Sequence, residues 1–244
     1  MILVSKSQIK LITSLQQKKY RNKWGLFVAE GPKVIKELLK ANLSLHSLYV
    51  TEIDLFKGVS AEVISEKELS KISFLKNASN SVAVFKIPKP KNSSEKNTIV
   101  ALDAIRDPGN LGTIIRLCDW FGVEQLVCSE DTVDCYNPKV IQATMGSISR
   151  VKIKYLNLIE YISETKLPVY AGVMNGENIY KQKLPESAII ILGNEANGIS
   201  DELINLASNK IAIPQFGALK KTESLNVATA TAVLLSEFKR STEQ

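Results

Sequence analysis

The feature that most constrains the fold is a series of short apolar segments that alternate with helical patterns from Thr98 onward. The run AIIIL from Ala188 to Leu192 represents them. Predicted strands lie at 98–104, 125–129, 150–154, 168–173, 188–192 and 210–214, and predicted helices lie near 111–121, 138–146, 158–165, 201–208 and 226–240. Strands without strict alternation of apolar and polar residues are covered on both faces. The pattern predicts an α/β fold with a mainly parallel sheet and helices on both faces.

The chain before Thr98 has a weaker alternation, which predicts a small α/β domain. The predicted strands there are 26–29, 47–51, 62–65 and 82–87, with helical patterns at 5–17, 34–39 and 66–75. The segment PKPKNSSEKN at 88–97 has no apolar residue other than proline and is typical of a linker. The predicted organisation is a first domain at 1–90, a linker at 91–97 and a second domain at 98–244.

Charge is distributed unevenly between these two parts. Residues 1–97 carry 17 Lys and Arg against 8 Asp and Glu, whereas residues 98–244 carry 14 against 17. A basic domain favours a polyanionic partner such as RNA, because each phosphate contact releases counterions. The candidate contacts are the basic residues of one run that also contains aromatic side chains: Lys18, Lys19, Arg21 and Lys23. The alternative is a solvated turn with Trp24 tucked into the core.

Other compositional features exclude several classes of protein. The three cysteines, Cys118, Cys128 and Cys135, have no CxxC spacing, and the chain has a single histidine. Buried or half-buried free thiols are therefore favoured over a zinc site or a disulfide framework. Mean hydropathy is near zero, and the apolar runs are far shorter than a membrane span. We expect a cytoplasmic protein with no metal and no membrane partner.

Three predicted strand-to-helix loops carry unusual polar residues. The first contains two glycines, Asn110 and, further along the helix, Arg116, which could clamp a phosphate or form a surface ion pair with Asp119 or Asp103. The second, GNEANGIS at 193–200, contains Glu195. The third offers Ser224 and Asn226 before the last helix, as helix caps or as site residues. Ligands of parallel α/β sheets bind at the carboxyl ends of strands, where these loops lie.

In this order and spacing, the loops resemble the three motifs of the SpoU (TrmH-like) branch of the SPOUT RNA methyltransferases. The matching segments are DPGNLGTIIRLCDWFG at 107–122, IIILGNEANGIS at 189–200 and IAIPQFGALKKTESLNVATATAVLL at 211–235. The first domain, with FVAEGPKVIKELL at 27–39 and VAVFKIP at 82–88, is similar to the L30e-like substrate-binding domain of rRNA-modifying members.

The resemblance implies transfer of a methyl group from S-adenosylmethionine to a ribose 2′-hydroxyl of RNA, with rRNA as the favoured substrate. It also implies a homodimer and a C-terminal deep trefoil knot, although unknotted chains are the general rule. The family's site residues correspond to Asn110, Arg116, Glu195, Ser224 and Asn226. Its cofactor-binding positions correspond to Leu192, Gly193, Asn194, Gly198, Ile213, Ser224 and Leu225. Arg116 is either the base or a positioning group, since an arginine of high pKa is an unusual base.

Three other functions are compatible with parts of the sequence. A tRNA 2′-O-methyltransferase is the nearest alternative, and a non-catalytic RNA-binding protein that assists ribosome assembly is the second. A nucleotide-dependent α/β enzyme with a conventional open sheet is the third, but the chain has neither the dinucleotide-binding nor the P-loop motif.

The basic run generates a prediction about salt. RNA affinity should fall steeply as salt rises from about 50 to 200 mM, because bound phosphates release counterions. Neutralising Lys18, Lys19, Arg21 and Lys23 together should flatten this dependence. Fluorescence anisotropy with labelled RNA measures both effects, and an affinity independent of salt would exclude the basic run as a phosphate-binding surface.

Overall fold

The structure, a computed structural model, describes residues 3–89, 98–217, 219 and 223–240. The predicted linker at 91–97 lies outside the described residues. The chain divides into two compact units: Met1–Lys89 with Asp134–Ser149, and Pro90–Val133 with Arg150–Gln244, each over its described residues. Our sequence-based division placed Asp134–Ser149 in the second domain, whereas this segment packs within the first unit.

The elements of the described chain follow the predicted order. The strands are β1 Leu26–Glu30, β2 Leu45–Val50, β3 Glu62–Val63, β4 Ser81–Lys86, β5 Ile99–Leu102, β6 Gln125–Cys128, β7 Lys152–Tyr155, β8 Val169–Asn178, β9 Ile189–Leu192 and β10 Asn209–Ala212. The α-helices are α1 Lys6–Ser14, α2 Lys18–Trp24, α3 Pro32–Lys40, α4 Glu66–Ser70, α5 Pro108–Trp120, α6 Pro138–Thr144, α7 Leu158–Glu164, α8 Asp201–Leu206 and α9 Val227–Arg240.

The first unit is built on a four-stranded sheet in the order β1-β4-β2-β3. β4 pairs antiparallel with both β1 and β2, and β2 pairs parallel with β3. The helix α1 begins with a capping box, in which Ser5 Oγ accepts from the Gln8 amide and Gln8 Oε1 accepts from the Ser5 amide. Ile12 and Leu15 then bury their side chains against the sheet residues Leu26 and Val28 in one core cluster.

The basic run forms α2, and the structure corrects one of its predicted RNA contacts. Arg21 is buried, with only 2% of its surface exposed, and its Nε and Nη2 lie 2.8 and 2.5 Å from Asp134 Oδ2. Its Nη1 donates to the carbonyls of Leu15 and Gln16, each at 2.8 Å. Carbonyls at the end of a helix such as α1 have no intrahelical donor and need partners of this kind. A guanidinium with all these partners is a structural group, so Arg21 is not available to RNA.

The other three basic residues of α2 remain candidates. Lys18, Lys19 and Lys23 are exposed, and Lys23 Nζ lies 5.0 Å from the ring centroid of Trp24. Trp24 is itself 51% exposed, so the alternative of a solvated turn with this ring in the core is wrong. The exposed surface of α2 therefore combines ammonium groups with an aromatic face.

The segment Asp134–Ser149 contributes α6 to the first unit, where this helix packs against β1. The ring centroid of Tyr136 lies 5.0 Å from that of Phe27, and Val140 and Ile141 are buried. Burial raises the pKa of the Tyr136 hydroxyl well above its usual value. The sheet of the first unit is thus covered partly by residues more than a hundred positions later in the chain.

The second unit confirms the predicted parallel sheet, with six strands in the order β10-β8-β9-β5-β6-β7 and every neighbouring pair parallel. The central strands β5, β6 and β9 are buried along their whole length because both faces are covered. β8 runs to Asn178, beyond the predicted end at 173, because its second half pairs with β10 after a register shift between Lys210 and Ile211. A Cβ at position 176 would lie 2.5 Å from the carbonyl carbon of Ile211, so the two strands approach closely at this glycine.

The thiols of Cys118, Cys128 and Cys135 are buried, as predicted. Burial, reinforced by Asp119, raises the pKa of the Cys118 thiol to about 12. Within the described ranges, no helix is both long and apolar enough to cross a bilayer.

The environment of Arg21 generates a stability prediction. Replacing Arg21 with Ala should lower the free energy of unfolding by about 3–5 kcal/mol, because the partly buried Asp134 carboxylate loses its partner. Replacing the exposed Lys19 with Ala should change it by less than about 0.5 kcal/mol. Urea denaturation monitored by circular dichroism tests the contrast. Equal stability of the two variants would contradict the structural role of Arg21.

Candidate active site

Four loops of the second unit leave the sheet at one edge. β5 ends at Leu102, which is paired in register with Leu192 at the end of β9 and with Cys128 at the end of β6. The loop after β10 lies on the other side of β9, because β8 is the neighbour of both β9 and β10. The three loops singled out by sequence therefore converge, as expected for the carboxyl edge of a parallel sheet.

The first loop directs the Asn110 side chain toward the other two loops. The cap of α5 is Asp107, whose Oδ1 accepts from the Asn110 amide at 2.8 Å, and Pro108 occupies the first helical turn. Asp107, and not Asn110, is therefore the cap of this helix. Because Asp107 takes that role, the carboxamide of Asn110 is available to the site.

Asn110 joins the three loops through a chain of hydrogen bonds. Its Nδ2 donates to Glu195 Oε1 at 2.7 Å, and its Oδ1 accepts from Asn226 Nδ2 at 2.9 Å. These bonds connect residues 85 and 116 positions apart in sequence. Three of the five predicted catalytic residues are thus in direct contact.

Asn226 is both a helix cap and a site residue. Its Oδ1 accepts from the amides of Ala228 and Thr229, at 3.0 and 3.2 Å, at the start of α9. Its Nδ2 is then directed to Asn110. The two interpretations of this residue therefore hold together, because capping fixes the amide in the orientation that reaches Asn110.

Arg116 lies on α5 with its side chain exposed. It makes no hydrogen bond or ion pair with the described part of the chain. The ion pairs considered from sequence do not form: Asp119 pairs with Arg150 at 2.8 Å, and Asp103 Oδ2 accepts from the Ser200 amide at 2.8 Å. The guanidinium of Arg116 is therefore not engaged by these two carboxylates.

A cavity of about 1220 Å³ lies between β8, β9 and the second and third loops. Every predicted cofactor-binding residue lines it: Leu192, Gly193, Asn194, Gly198, Ile213, Ser224 and Leu225. Glu195 and Asn226 also line it, so the hydrogen-bonded chain reaches the cavity wall. Of the predicted residues, Asn110 and Arg116 are not part of this lining.

The second loop is shaped by Gly193 and Asn194. A Cβ at position 193 would lie 2.1 Å from the Gly198 carbonyl carbon, so only glycine fits there. Asn194 and Gly198 exchange backbone hydrogen bonds of 2.9 Å, and Asn194 Oδ1 accepts from the amide of Ala196 at 2.9 Å. The Asn194 side chain thus shapes the loop, and its Nδ2 donates to the Ala104 carbonyl at 2.7 Å.

Sequence reasoning missed two acceptors and one aromatic side chain at this edge. Glu223 and Phe216 line the cavity, and Asp103 holds the Ser200 amide. Glu223 could have been found from its position next to Ser224. The Asp107 cap could have been found from the Asp-Pro pair, which is typical of a helix start. Asp103 was considered only as an ion-pair partner of Arg116, because no sequence signal connects it to a backbone amide almost a hundred residues away.

Comparison with known proteins identifies the class. Residues 97–236 match the model of the SpoU rRNA Methylase family, and residues 6–83 match an MRM3-like substrate binding domain. The 23S rRNA (guanosine(2553)-2'-O)-methyltransferase RlmP of Bacillus subtilis (strain 168) is 31% identical over 231 residues, covering 91% of each chain. The chain belongs to the SpoU rRNA methylase family, which confirms the resemblance of its three motifs.

Solved structures agree with this assignment. A putative RNA methyltransferase of the TrmH family from Porphyromonas gingivalis has a TM-score of 0.88 and 35% identity, covering 98% of this chain and 99% of that chain. An AdoMet-bound rRNA methyltransferase from Sinorhizobium meliloti has a TM-score of 0.84 and 30% identity, covering 98% and 97%. The predicted α/β fold is confirmed.

The two roles of Asn226 can be separated by substitution. Asn226→Asp keeps an oxygen that caps α9 but puts a carboxylate opposite Asn110 Oδ1, so methyl transfer should fall by at least about tenfold with little change in Tm. Asn226→Ala should lower both activity and Tm, because the cap is lost as well. Methylation assays and thermal unfolding measure the two effects. Full activity in Asn226→Asp would reduce this residue to a cap.

Proposed function

We propose that this protein transfers a methyl group from S-adenosylmethionine to a ribose 2′-hydroxyl of ribosomal RNA. Membership of the SpoU family supports the reaction class. The observation that carries the proposal is the Glu195–Asn110–Asn226 chain of hydrogen bonds beside a cavity lined by the seven cofactor-binding candidates. A fold-only relative would have no need to keep these polar groups together at one strand edge.

The cavity fits the methyl donor in size and chemistry. Its volume is at least that of common small-molecule sites. Leu192, Ile213 and Leu225 offer apolar surface for an adenine ring, and Gly193 leaves the backbone open to close approach. Glu195 and Glu223 place carboxylates in the wall, which suits a donor that carries a sulfonium and an ammonium group. S-adenosylmethionine, when bound, supplies an electrophilic methyl group.

The remaining site residues act on the ribose. We assign to Arg116 the binding of the phosphate next to the target nucleotide and the orientation of its 2′-hydroxyl, because an arginine stays protonated at neutral pH. Asn110 holds Glu195 in place, and Asn226 holds Asn110. Ser224 lines the cavity with an exposed hydroxyl and would hold the ribose at its mouth. Alignment of the hydroxyl with the methyl group is the main contribution that such a site makes.

The choice of rRNA over tRNA rests on the first unit. A relative named as a 23S rRNA methyltransferase matches across both domains, and the MRM3-like match covers residues 6–83. Lys18, Lys19 and Lys23 of α2 would bind RNA phosphates there, without the buried Arg21. We assign these functions to three segments: a substrate-binding domain at 1–90, a linker at 91–97 and a catalytic domain at 98–244.

A homodimer and a deep trefoil knot remain predictions from the family. Ala228 and Thr231, two small residues of the last helix, are buried within the chain where α9 packs against α5, which is compatible with the close backbone approach of a knot. Light scattering coupled to size exclusion would measure the dimer, and a monomer at micromolar concentration would reject it. Action in the cytoplasm is likewise a prediction.

Comparing 2′-O-methylation across RNA from cells with and without the protein is the direct test of substrate. Loss of one rRNA modification would support the proposal. Loss of a tRNA modification would favour the tRNA alternative. An unchanged map, together with RNA binding by the purified protein, would favour a non-catalytic role in ribosome assembly.

Arg116→Ala should reduce methyl transfer by about a hundredfold or more, because the substrate hydroxyl loses its positioning group. Fold and Tm should stay near wild type, since the side chain is exposed and makes no hydrogen bond or ion pair with the described residues. Arg116→Lys separates the two roles of this residue. A positioning group predicts a lower rate with an unchanged pH profile, and a base predicts a profile shifted to lower pH. Wild-type turnover in Arg116→Ala would refute the assignment.

A further inference from the structure

The connection between β5 and α5 passes through a backbone conformation that is costly for its residue. Ala104 has a φ of 56°, in the left-handed region, which residues with a Cβ seldom adopt. It lies four positions before Pro108, where α5 begins. The direction in which the chain leaves the sheet toward Asn110 therefore depends on holding Ala104 in this conformation.

Both backbone polar groups of Ala104 are held by side chains from neighbouring loops. Its N–H donates to Ser129 Oγ at 2.8 Å, and its carbonyl accepts from Asn194 Nδ2 at 2.7 Å. The Ser129 hydroxyl donates to Asp131 Oδ1 at 2.7 Å, so its lone pairs remain for the Ala104 amide. The loop after β6 therefore holds the Ala104 amide, and the loop after β9 holds its carbonyl.

The residue before Ala104 is tied to the same second loop. The Asp103 amide donates to the Leu192 carbonyl at 2.9 Å, and Asp103 Oδ2 accepts from the Ser200 amide at 2.8 Å. Together with Asn194, these bonds hold the loop on both sides of Glu195. A shift of Ala104 would therefore move Asn110 relative to Glu195, whose contact spans only 2.7 Å.

We propose that Ser129 is a positioning residue: with Asn194 it holds the Ala104 peptide in its left-handed conformation and so sets Asn110 opposite Glu195. Ser129 lies after β6, outside all three motif segments. The inference rests on the proposed function for its kinetic consequence, but the geometry it describes is independent of substrate. It gives the β6 loop a role in the reaction without contact with the reacting groups.

A neighbouring hydroxyl provides a matched control. Thr132 Oγ1 lies 3.1 Å from Ser129 Oγ and donates to the Leu102 carbonyl at 3.3 Å, but it has no bond to Ala104. Thr132→Val removes this hydroxyl and keeps the shape of the side chain. It therefore reports the general cost of losing a buried hydroxyl in the same loop.

The test compares Ser129→Ala, Ser129→Thr and Thr132→Val in the full chain. Ser129→Ala should lower kcat by about tenfold, since small displacements of a positioned group have large effects on rate. Its Kd for S-adenosylmethionine, measured by calorimetry, should stay within about twofold of wild type. Ser129→Thr should restore kcat, and Thr132→Val should leave it within about twofold.

A second readout is the side-chain amide signal of Asn110 in a ¹H–¹⁵N spectrum. It should shift in Ser129→Ala and not in Thr132→Val. An unshifted signal with wild-type kcat in Ser129→Ala, or an equal loss of kcat in Thr132→Val, would overturn the inference. If the wild-type protein methylates no rRNA and the Asn110 signal still shifts only in Ser129→Ala, the proposed function fails and the positioning role stands.

Discussion

The site depends on one carboxamide that is used at both ends. Asn110 donates to Glu195 and accepts from Asn226, and only a side chain with a donor and an acceptor can do both. A carboxylate at position 110 would repel Glu195, and an apolar side chain would leave three loops without a common partner. The Asp107 cap makes this possible, because it satisfies the first turn of α5 and releases Asn110 for the site.

Much of the second unit was predictable because a buried parallel strand leaves a plain signal in sequence. The apolar runs around Ile190, Val100 and Val127 gave the strands, and the polar loops after them gave the edge at which the site lies. The end of β8 was not predictable, because its last residues are stabilised by pairing with β10 and their own sequence has no strand pattern. Tertiary pairing overrides local preference there.

The roles of individual polar residues were harder to predict than their positions. Arg21 has the same sequence environment as Lys19 and Lys23, yet Arg21 is buried and the two lysines are exposed. The difference comes from Asp134, which no local pattern connects to α2. Asn226 shows a different case. Its capping signal was correct and the resemblance to the SpoU family assigned it to the site, but its bond to Asn110 came only from the structure.

The contribution of Asp134–Ser149 to the first unit has a consequence for the order of folding. During synthesis, the strands of the first sheet emerge long before α6 and Asp134 do. In the nascent chain Arg21 therefore lacks its carboxylate partner, and Phe27 lacks its contact with Tyr136. Contacts of such high sequence separation slow folding and leave apolar surface exposed for longer. The first unit is completed only after more than half of the chain has been made.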